Sequence, residues 1–236
     1  MKDELSDKQF YLTPSHPCSY LDDRSARTLF LDPRETVSQH LYAILSASGF
    51  RRSGSHLYRP HCEGCQACVP VRVPVGAFEW TRRFKRVAAV NADLRIAVEP
   101  AAFTPAYFDL YARYIEGRHW DGDMYPPSED QFRSFLLCNW SRTAFLTMYD
   151  GPQLVALAVT DQLDDGLSAI YTFFDPALGK RSLGVFAVLS QIRECQARNL
   201  PYLYLGYWIR DCAKMRYKTD YRPVELLVSN RWIAMS

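Results

Sequence analysis

No stretch of this 236-residue chain approaches the apolar run that crosses a bilayer, and the opening MKDELSDKQF lacks the hydrophobic segment of a signal peptide. The expectation is a cytoplasmic protein without a membrane partner. Net charge is also scarce: 28 Lys and Arg against 26 Asp and Glu give +2, so any nucleic-acid contact must come from local clusters rather than overall basicity. Nucleotide-binding glycine fingerprints are missing, as are the G-x-S-x-G elbow and any evident Ser-His-Asp arrangement, so no nucleotide cofactor is expected. There is no internal repeat and no low-complexity tract.

Cysteine, by contrast, is present seven times, and without an export signal that points to metal ligation or reduced thiols rather than a disulfide framework. Cys62, Cys65 and Cys68 stand at successive C-x-x-C spacing, which lets thiolates reach one ion without backbone strain, and Cys18 offers a fourth ligand. Zn²⁺ or an iron–sulfur cluster in the N-terminal part is the reading. Cys138 and Cys195 fall on apolar helical faces and read as inert core thiols.

Local signals place the elements. Asp32-Pro33 reads as an N-cap with proline at the first helical position, opening a helix to about Ser46 that ends at Gly49-Phe50. Thr104-Pro105 repeats the signal, and Ser128 with Gln131 reads as a capping box. From Thr143 the period changes: strands at 143–149, 154–163 and 167–174, separated by Asp-Gly turns, form an antiparallel meander. A helix over about 182–199 and strands at 202–205 and 224–228 follow. Meander, glycine-containing turn, helix, strand is the element order of a GNAT-type acyltransferase core. The fold class is therefore α+β: a small cysteine-bearing N-terminal domain over residues 1–80, then a GNAT-like domain with a mostly antiparallel sheet over 81–236.

Four segments carry chemistry. Gly179 to Gly184 lies where a strand hands over to a helix; free N–H groups make such a junction an anion site, and Lys180 and Arg181 add charge, although an ordinary turn with surface cations has the same composition. Leu205 to Lys218 runs from a strand end into Tyr207, Trp208 and Tyr217 with Lys214, Arg216 and Lys218, aromatics that stack a base and cations that hold phosphate or carboxylate. Asp161 and Tyr171, on the meander, are pocket candidates. Arg51 and Arg52, with Arg82, Arg83, Lys85 and Arg86, are candidates for a nucleic-acid backbone, against the alternative of a solvated helix face. The Arg118-His-Trp-Asp-Gly-Asp123 stretch reads as turns rather than as a metal site.

The stretches PCSYL, ARTLFLDP, GFRRSGSHLYRPHCEGCQACVPVRVPV, RHWDGDMYPPS, AVTDQLDDGLSAIYTFFDP, KRSLGVFAVL and PYLYLGYWIRDCAKMRYKTDYRP together resemble the bacterial branch of the arginyl-tRNA–protein transferase family, over nearly the whole chain. The resemblance implies transfer of leucine from leucyl-tRNA to a protein's N-terminal Asp or Glu, handing the product to N-end rule degradation and a downstream adaptor. It implies aminoacyl-tRNA and proteins with acidic N-termini as partners. Lys214 and Arg216 are expected to face the acceptor carboxylate, with Tyr171 and Tyr207 near the ester as catalytic groups. Asp161, Lys180, Arg181, Gly184, Trp208, Tyr217 and Lys218 are expected to bind substrate. Arginyl transfer from arginyl-tRNA to the same acceptors, an acyl-CoA-dependent N-acetyltransferase, and a non-enzymatic RNA-binding or redox-sensing module are the competing readings.

The cysteine spacing makes one expectation measurable. Anaerobically purified protein should carry metal near one per chain by elemental analysis, and metal-free protein that folds and functions normally would reduce the run to packing thiols.

Overall fold

The computed structural model describes residues 3–235. In chain order these form α1 (Asp3–Ser6), β1 (Phe10–Leu12), β2 (His16–Pro17), β3 (Ser25–Ala26), β4 (Thr28–Leu31), α2 (Gln39–Ala47), β5 (Arg51–Ser53), β6 (His56–Pro60) and β7 (Val69–Pro74). There follow α3 (Arg82–Val90), β8 (Arg95–Pro100), α4 (Pro105–Arg118), α5 (Glu129–Leu136), β9 (Thr143–Asp150), β10 (Gln153–Gln162), β11 (Gly166–Phe174), α6 (Leu183–Ala197), β12 (Tyr202–Trp208), β13 (Val224–Val228) and β14 (Arg231–Met235).

An eight-stranded sheet runs β14-β13-β7-β12-β11-β10-β9-β8, and only the β11–β12 pair is parallel. The expected meander β9-β10-β11 is its centre, with Ala156, Ala158 and Met148 turned to one face and Leu157, Val159 and Phe145 to the other, as the period of two requires. Helices α3 and α6 cover the first face, burying Phe84, Val87, Phe186, Leu189 and Ile192. On the second face α4 and α5 bury Leu110, Tyr111, Ile115, Phe132 and Leu136. Each such side chain removed from water contributes about 1.5–3 kcal/mol. A four-stranded sheet, β1-β4-β6-β5, packs with α2 around Leu41, Tyr42, Leu45, Phe50 and Leu57.

Strand β7 changes the picture of a self-contained N-terminal unit. It lies between β13 and β12 deep in the large sheet, so the segments 1–80 and 81–236 share one hydrogen-bonded ladder. The cysteine run is the connection from β6 of the small sheet to β7 of the large one.

Thr104 caps α4 through Tyr107 N, and Ser128 caps α5 through Gln131 N, both as the sequence predicts. Gln131 does not close a reciprocal box, because its side-chain oxygen accepts from Tyr111 Oη at 2.8 Å. The helix expected from Asp32 begins instead at Ser38, whose hydroxyl accepts from Leu41 N at 3.0 Å. Asp32 serves a turn: its buried carboxylate accepts from Arg34 N at 2.8 Å, from the Arg34 guanidinium and from Tyr11 Oη, and these bonds hold it far below the ordinary carboxylate range. A turn-forming aspartate and a helix cap present the same residue types to a sequence reader.

The two sheets are joined by a buried ion pair. Arg52 Nε lies 2.5 Å and Nη2 3.0 Å from the Asp161 carboxylate, with both side chains fully out of solvent. Tyr42 Oη and Thr143 Oγ1 donate to the same carboxylate at 2.7 and 2.6 Å. Asp161→Ala leaves a buried guanidinium without its counter-ion, and a loss of about 3–5 kcal/mol in unfolding free energy is expected by urea titration. A loss below about 1 kcal/mol, the scale of a surface pair, would contradict this role.

Candidate active site

The parallel pair β11–β12 is hydrogen-bonded only where Gly166–Ser168 faces Tyr202–Tyr204. Beyond that point β11 stays with β10 and β12 stays with β7, so the two parallel strands part inside the sheet. The parting coincides with Gly206, at φ +82°, where the β12–β7 register shifts. A Cβ at Gly206 would stand 3.0 Å from Arg51 Nε, so both the backbone conformation and the space require glycine there. Arg51 fills the parting from the small sheet: Nη1 donates to Ser168 Oγ at 2.6 Å and Nη2 to the Ala169 carbonyl. Adjacent arginines on a strand point to opposite sides, which is how Arg52 reaches Asp161 while Arg51 reaches this opening.

Beside Arg51 stands Lys218, 8 % exposed, on the turn Arg216–Asp220. Its Nζ donates to the Tyr207 carbonyl at 2.8 Å and approaches Met215 Sδ at 3.6 Å. Burial, reinforced by the Arg51 charge, pushes the ammonium down to about 7 from the usual 10.5, against a smaller opposing pull from Cys212 and Cys68. Among the described residues neither Arg51 nor Lys218 has a carboxylate partner.

An aromatic wall lies nearby, linked to Arg51 through Tyr217. Tyr217 lies within electrostatic range of both Arg51 and Tyr114. The Tyr114 ring packs edge-on against Phe174 at 5.0 Å, His119 at 5.2 Å and Tyr171 at 6.3 Å. Tyr171 Oη donates to Met124 Sδ at 3.5 Å, and burial holds that phenol protonated, well above the tyrosine range. Burial, then Lys214 and Arg118, push the His119 imidazolium down. Gly184, in the first turn of α6, lets the helix close on Phe174, since a Cβ there would stand 3.2 Å from the ring. The loop 119–125 forms turns, with Gly122 N bonded to the His119 carbonyl and Tyr125 N to the Gly122 carbonyl.

Several sequence-predicted residues stand elsewhere. Arg52 and Asp161 are the buried tie described above, so Arg52 does not face nucleic acid and Asp161 does not face substrate. Tyr207 is buried, and its hydroxyl donates to the Gly49 carbonyl at 2.8 Å, which makes it a brace for the small sheet rather than a group at the ester. Arg181 is engaged by Asp93, at 2.9 Å through both terminal nitrogens, and by Asp150 at 3.3 Å. Lys214 and Arg216 are exposed at the rim, because the turn at 216–220 sends Lys218 inward and leaves them outside. Lys180 is exposed without a partner among the described residues, and Trp208 is half-buried with its Nε1 unpartnered. Arg82, Arg83, Lys85 and Arg86 form an exposed face of α3, capped by Thr81; Arg83 bonds Asp220 at 2.7 Å. Sequence reasoning missed Tyr114, His119 and Phe174 as site groups, and grouped Arg51 with Arg52 as a candidate for a nucleic-acid backbone. The period of two would have separated Arg51 from Arg52.

Cys18, Cys62, Cys65 and Cys68 are free and half-buried. All lie within electrostatic range of Cys68, whose thiol is pushed up to about 12, mainly by burial. Among the described residues no three His, Cys, Asp or Glu side chains converge closely enough to hold a metal ion. The four thiols stand near one another without forming a closed ligand set among the described residues.

Sequence models of the N-terminal and C-terminal parts of the arginine-tRNA–protein transferases match residues 16–86 and 106–228. Proteins named aspartate/glutamate leucyltransferase are similar along nearly their whole length. That of Alcanivorax borkumensis is 57% identical over 97% of this chain and 95% of its own. That of Marinobacter nauticus is 58% identical over 96% of each, and that of Pseudomonas fluorescens 54% identical over 99% of each. A solved structure described as L-PGS from Bacillus licheniformis superposes with a TM-score of 0.45 at 10% identity, covering 61% of this chain and 48% of its own. The chain belongs to the arginine-tRNA–protein transferase family, and it is an aminoacyltransferase.

The depressed Lys218 ammonium has a thermodynamic consequence. Its folded pKa of about 7 lies below its unfolded value, so the unfolded state binds more protons in between and the penalty is fully present below pH 7. Lys218→Met should therefore stabilise the protein most at pH 6 to 7, with the advantage over wild type shrinking as pH rises toward 10. A pH-independent difference in denaturant midpoint would contradict the burial of this charge.

Proposed function

We propose that the parting of β11 and β12 is where leucine passes from leucyl-tRNA to the N-terminal Asp or Glu of an acceptor protein. The observation that carries the reading is a buried, cation-bearing opening with an aromatic wall, in a chain more than half identical to aspartate/glutamate leucyltransferases along its length. The divided parallel pair, its strands joined by α6, which starts beyond the end of β11, supports a GNAT-like arrangement for the C-terminal part, with β7 of the cysteine-bearing N-terminal part completing its sheet.

An aminoacyl ester is already activated. The acceptor's α-amino nitrogen attacks the ester carbonyl, the C–O bond to the terminal ribose breaks, and the proton lost from nitrogen ends on the ribose oxygen. No covalent enzyme intermediate is needed, so alignment of the two substrates is the main requirement, a contribution of about 7–11 kcal/mol in the best cases. An α-amine with a pKa of about 7.7–8 needs only slight help to lose its proton. The wall of Tyr114, Tyr171 and Phe174 supplies apolar surface for the donor's aminoacyl end, and the protonated Tyr171 hydroxyl is placed to donate to a developing oxyanion. Exposed Lys180, Lys214 and Arg216 at the rim suit the phosphates of the tRNA 3′ end. The α3 face of Arg82, Lys85 and Arg86 suits the backbone further along. The product, carrying a new N-terminal leucine, is suited to an N-end rule adaptor in a cytoplasmic setting.

The direct assay supplies leucyl-tRNA, arginyl-tRNA or acetyl-CoA together with peptides starting in Asp, Glu or Ala, and reads the mass of the product. Leucine on Asp and Glu peptides is expected; arginine or acetyl transfer in its place would overturn the reading. Replacing Arg82, Lys85 and Arg86 together with alanine should flatten the slope of log affinity for leucyl-tRNA against log salt by up to about 2–3, near 0.9 for each phosphate no longer neutralised. An unchanged slope places the tRNA on another face.

A further inference from the structure

We infer that Lys218 and Arg51 together form the socket for the acceptor's N-terminal Asp or Glu side-chain carboxylate, and so set the acidic specificity of transfer. The inference rests on the proposed transfer reaction and assigns its selecting residues.

Buried cations are ordinarily paired, because desolvation of a charge is not recovered without a counter-ion. The other two buried cations among the described residues follow the rule: Arg52 has Asp161, and Arg72 has Glu225 at 2.7 Å. Lys218 breaks it, and half-buried Arg51 beside it also has no carboxylate partner among the described residues. Lys218, 8 % exposed, rests on a single backbone carbonyl and a thioether, and Arg51 rests on a serine hydroxyl and a backbone carbonyl. All of these partners are neutral, so the site brings two cationic groups together with no carboxylate among the described residues. It lies at the base of the β11–β12 parting, where Gly206 has no side chain and the strand edges are free of each other.

Two kinds of anion could enter: a tRNA phosphate or the acceptor carboxylate. Phosphates already have exposed cations at the rim, Lys180, Lys214 and Arg216, which can be met without desolvation. The enclosed pair suits a small carboxylate delivered on a short side chain, with the α-amino group three bonds (Asp) or four bonds (Glu) from the carboxylate carbon and directed up toward Tyr171 and the ester. An Asn or Gln amide in the same place would leave both charges uncompensated, and a site that buries unpaired charge discriminates far more strongly than one that merely lacks a methylene. The suppressed ammonium of Lys218 in the free protein is the expected state of such a socket before an anion arrives.

Transfer from leucyl-tRNA to Asp- and Asn-starting peptides is compared for wild type, Lys218→Met and Lys218→Arg. Wild-type transfer to Asp peptides is the control for the reaction itself: its absence would overturn the proposed function, whatever the variants do. Given that transfer, Lys218→Met should lower kcat/KM for Asp peptides at least tenfold more than for Asn peptides, and Lys218→Arg should restore most of the preference. Equal losses on both peptides, or an intact preference in Lys218→Met, would overturn the socket. A second measurement needs no variant. Acetic anhydride labelling of Lys218 in the wild-type protein, read by mass spectrometry, should be slowed by an Asp-Ala dipeptide and not by Asn-Ala. Equal slowing by both, slowing by neither, or slowing by inorganic phosphate alone would overturn it.

Discussion

The buried contact between Arg52 and Asp161 is the constraint on which the site depends. It fastens β5 of the small sheet to β10 of the large one, with Tyr42 from α2 and Thr143 from β9 completing the carboxylate's bonds. Because strand residues alternate, fixing Arg52 inward also fixes Arg51 on the other side, against Gly206 and the free edge of β11. One ion pair therefore sets where the neighbouring cation stands. A pair of this kind adds little to stability compared with an apolar replacement, but it punishes any arrangement that separates its members. Its value here is positional.

The same logic governs the sheet. A parallel pair bonded over three residues and then parted is a weakness in a ladder, and the fold compensates around it. Strand β7 joins β12 to β13, Tyr207 ties β12 back to Gly49 and Tyr58, and Phe84 stacks on Tyr221 at 5.2 Å beneath the turn that carries Lys218. These contacts over-determine the surroundings of the opening, and alignment of two substrates requires such a fixed frame.

Much of this architecture was legible in the sequence, for local reasons. Thr104-Pro105, Ser128, the Asp-Gly hairpin turns and the two-residue alternation of the meander all act within a few residues, and each produced the element it predicts. The misreadings are non-local. Asp32 is a helix cap or a turn depending on whether Arg34 and Tyr11 fold back on it. That β7 inserts between β12 and β13 depends on partners more than 120 residues away. At the site, composition located the rich segment 205–218 but not its direction: Tyr207 and Lys218 turn inward while Lys214 and Arg216 turn out, because a short turn replaces the extended run. Arg51 and Arg52 look alike in sequence, and only the contact with Asp161 separates a brace from a candidate ligand-binding group.

The central claim is that the donor's aminoacyl end lies in the parting between β11 and β12. A crystal structure with a non-hydrolysable leucyl-adenosine amide tests it most directly. The account predicts the leucyl group against Tyr114, Tyr171 and Phe174, with its carbonyl carbon between β11 and the Lys218 turn. A leucyl group bound in the cleft that Cys62, Cys65 and Cys68 line together with Leu227 and Asn230, or on the α3 face, would contradict it.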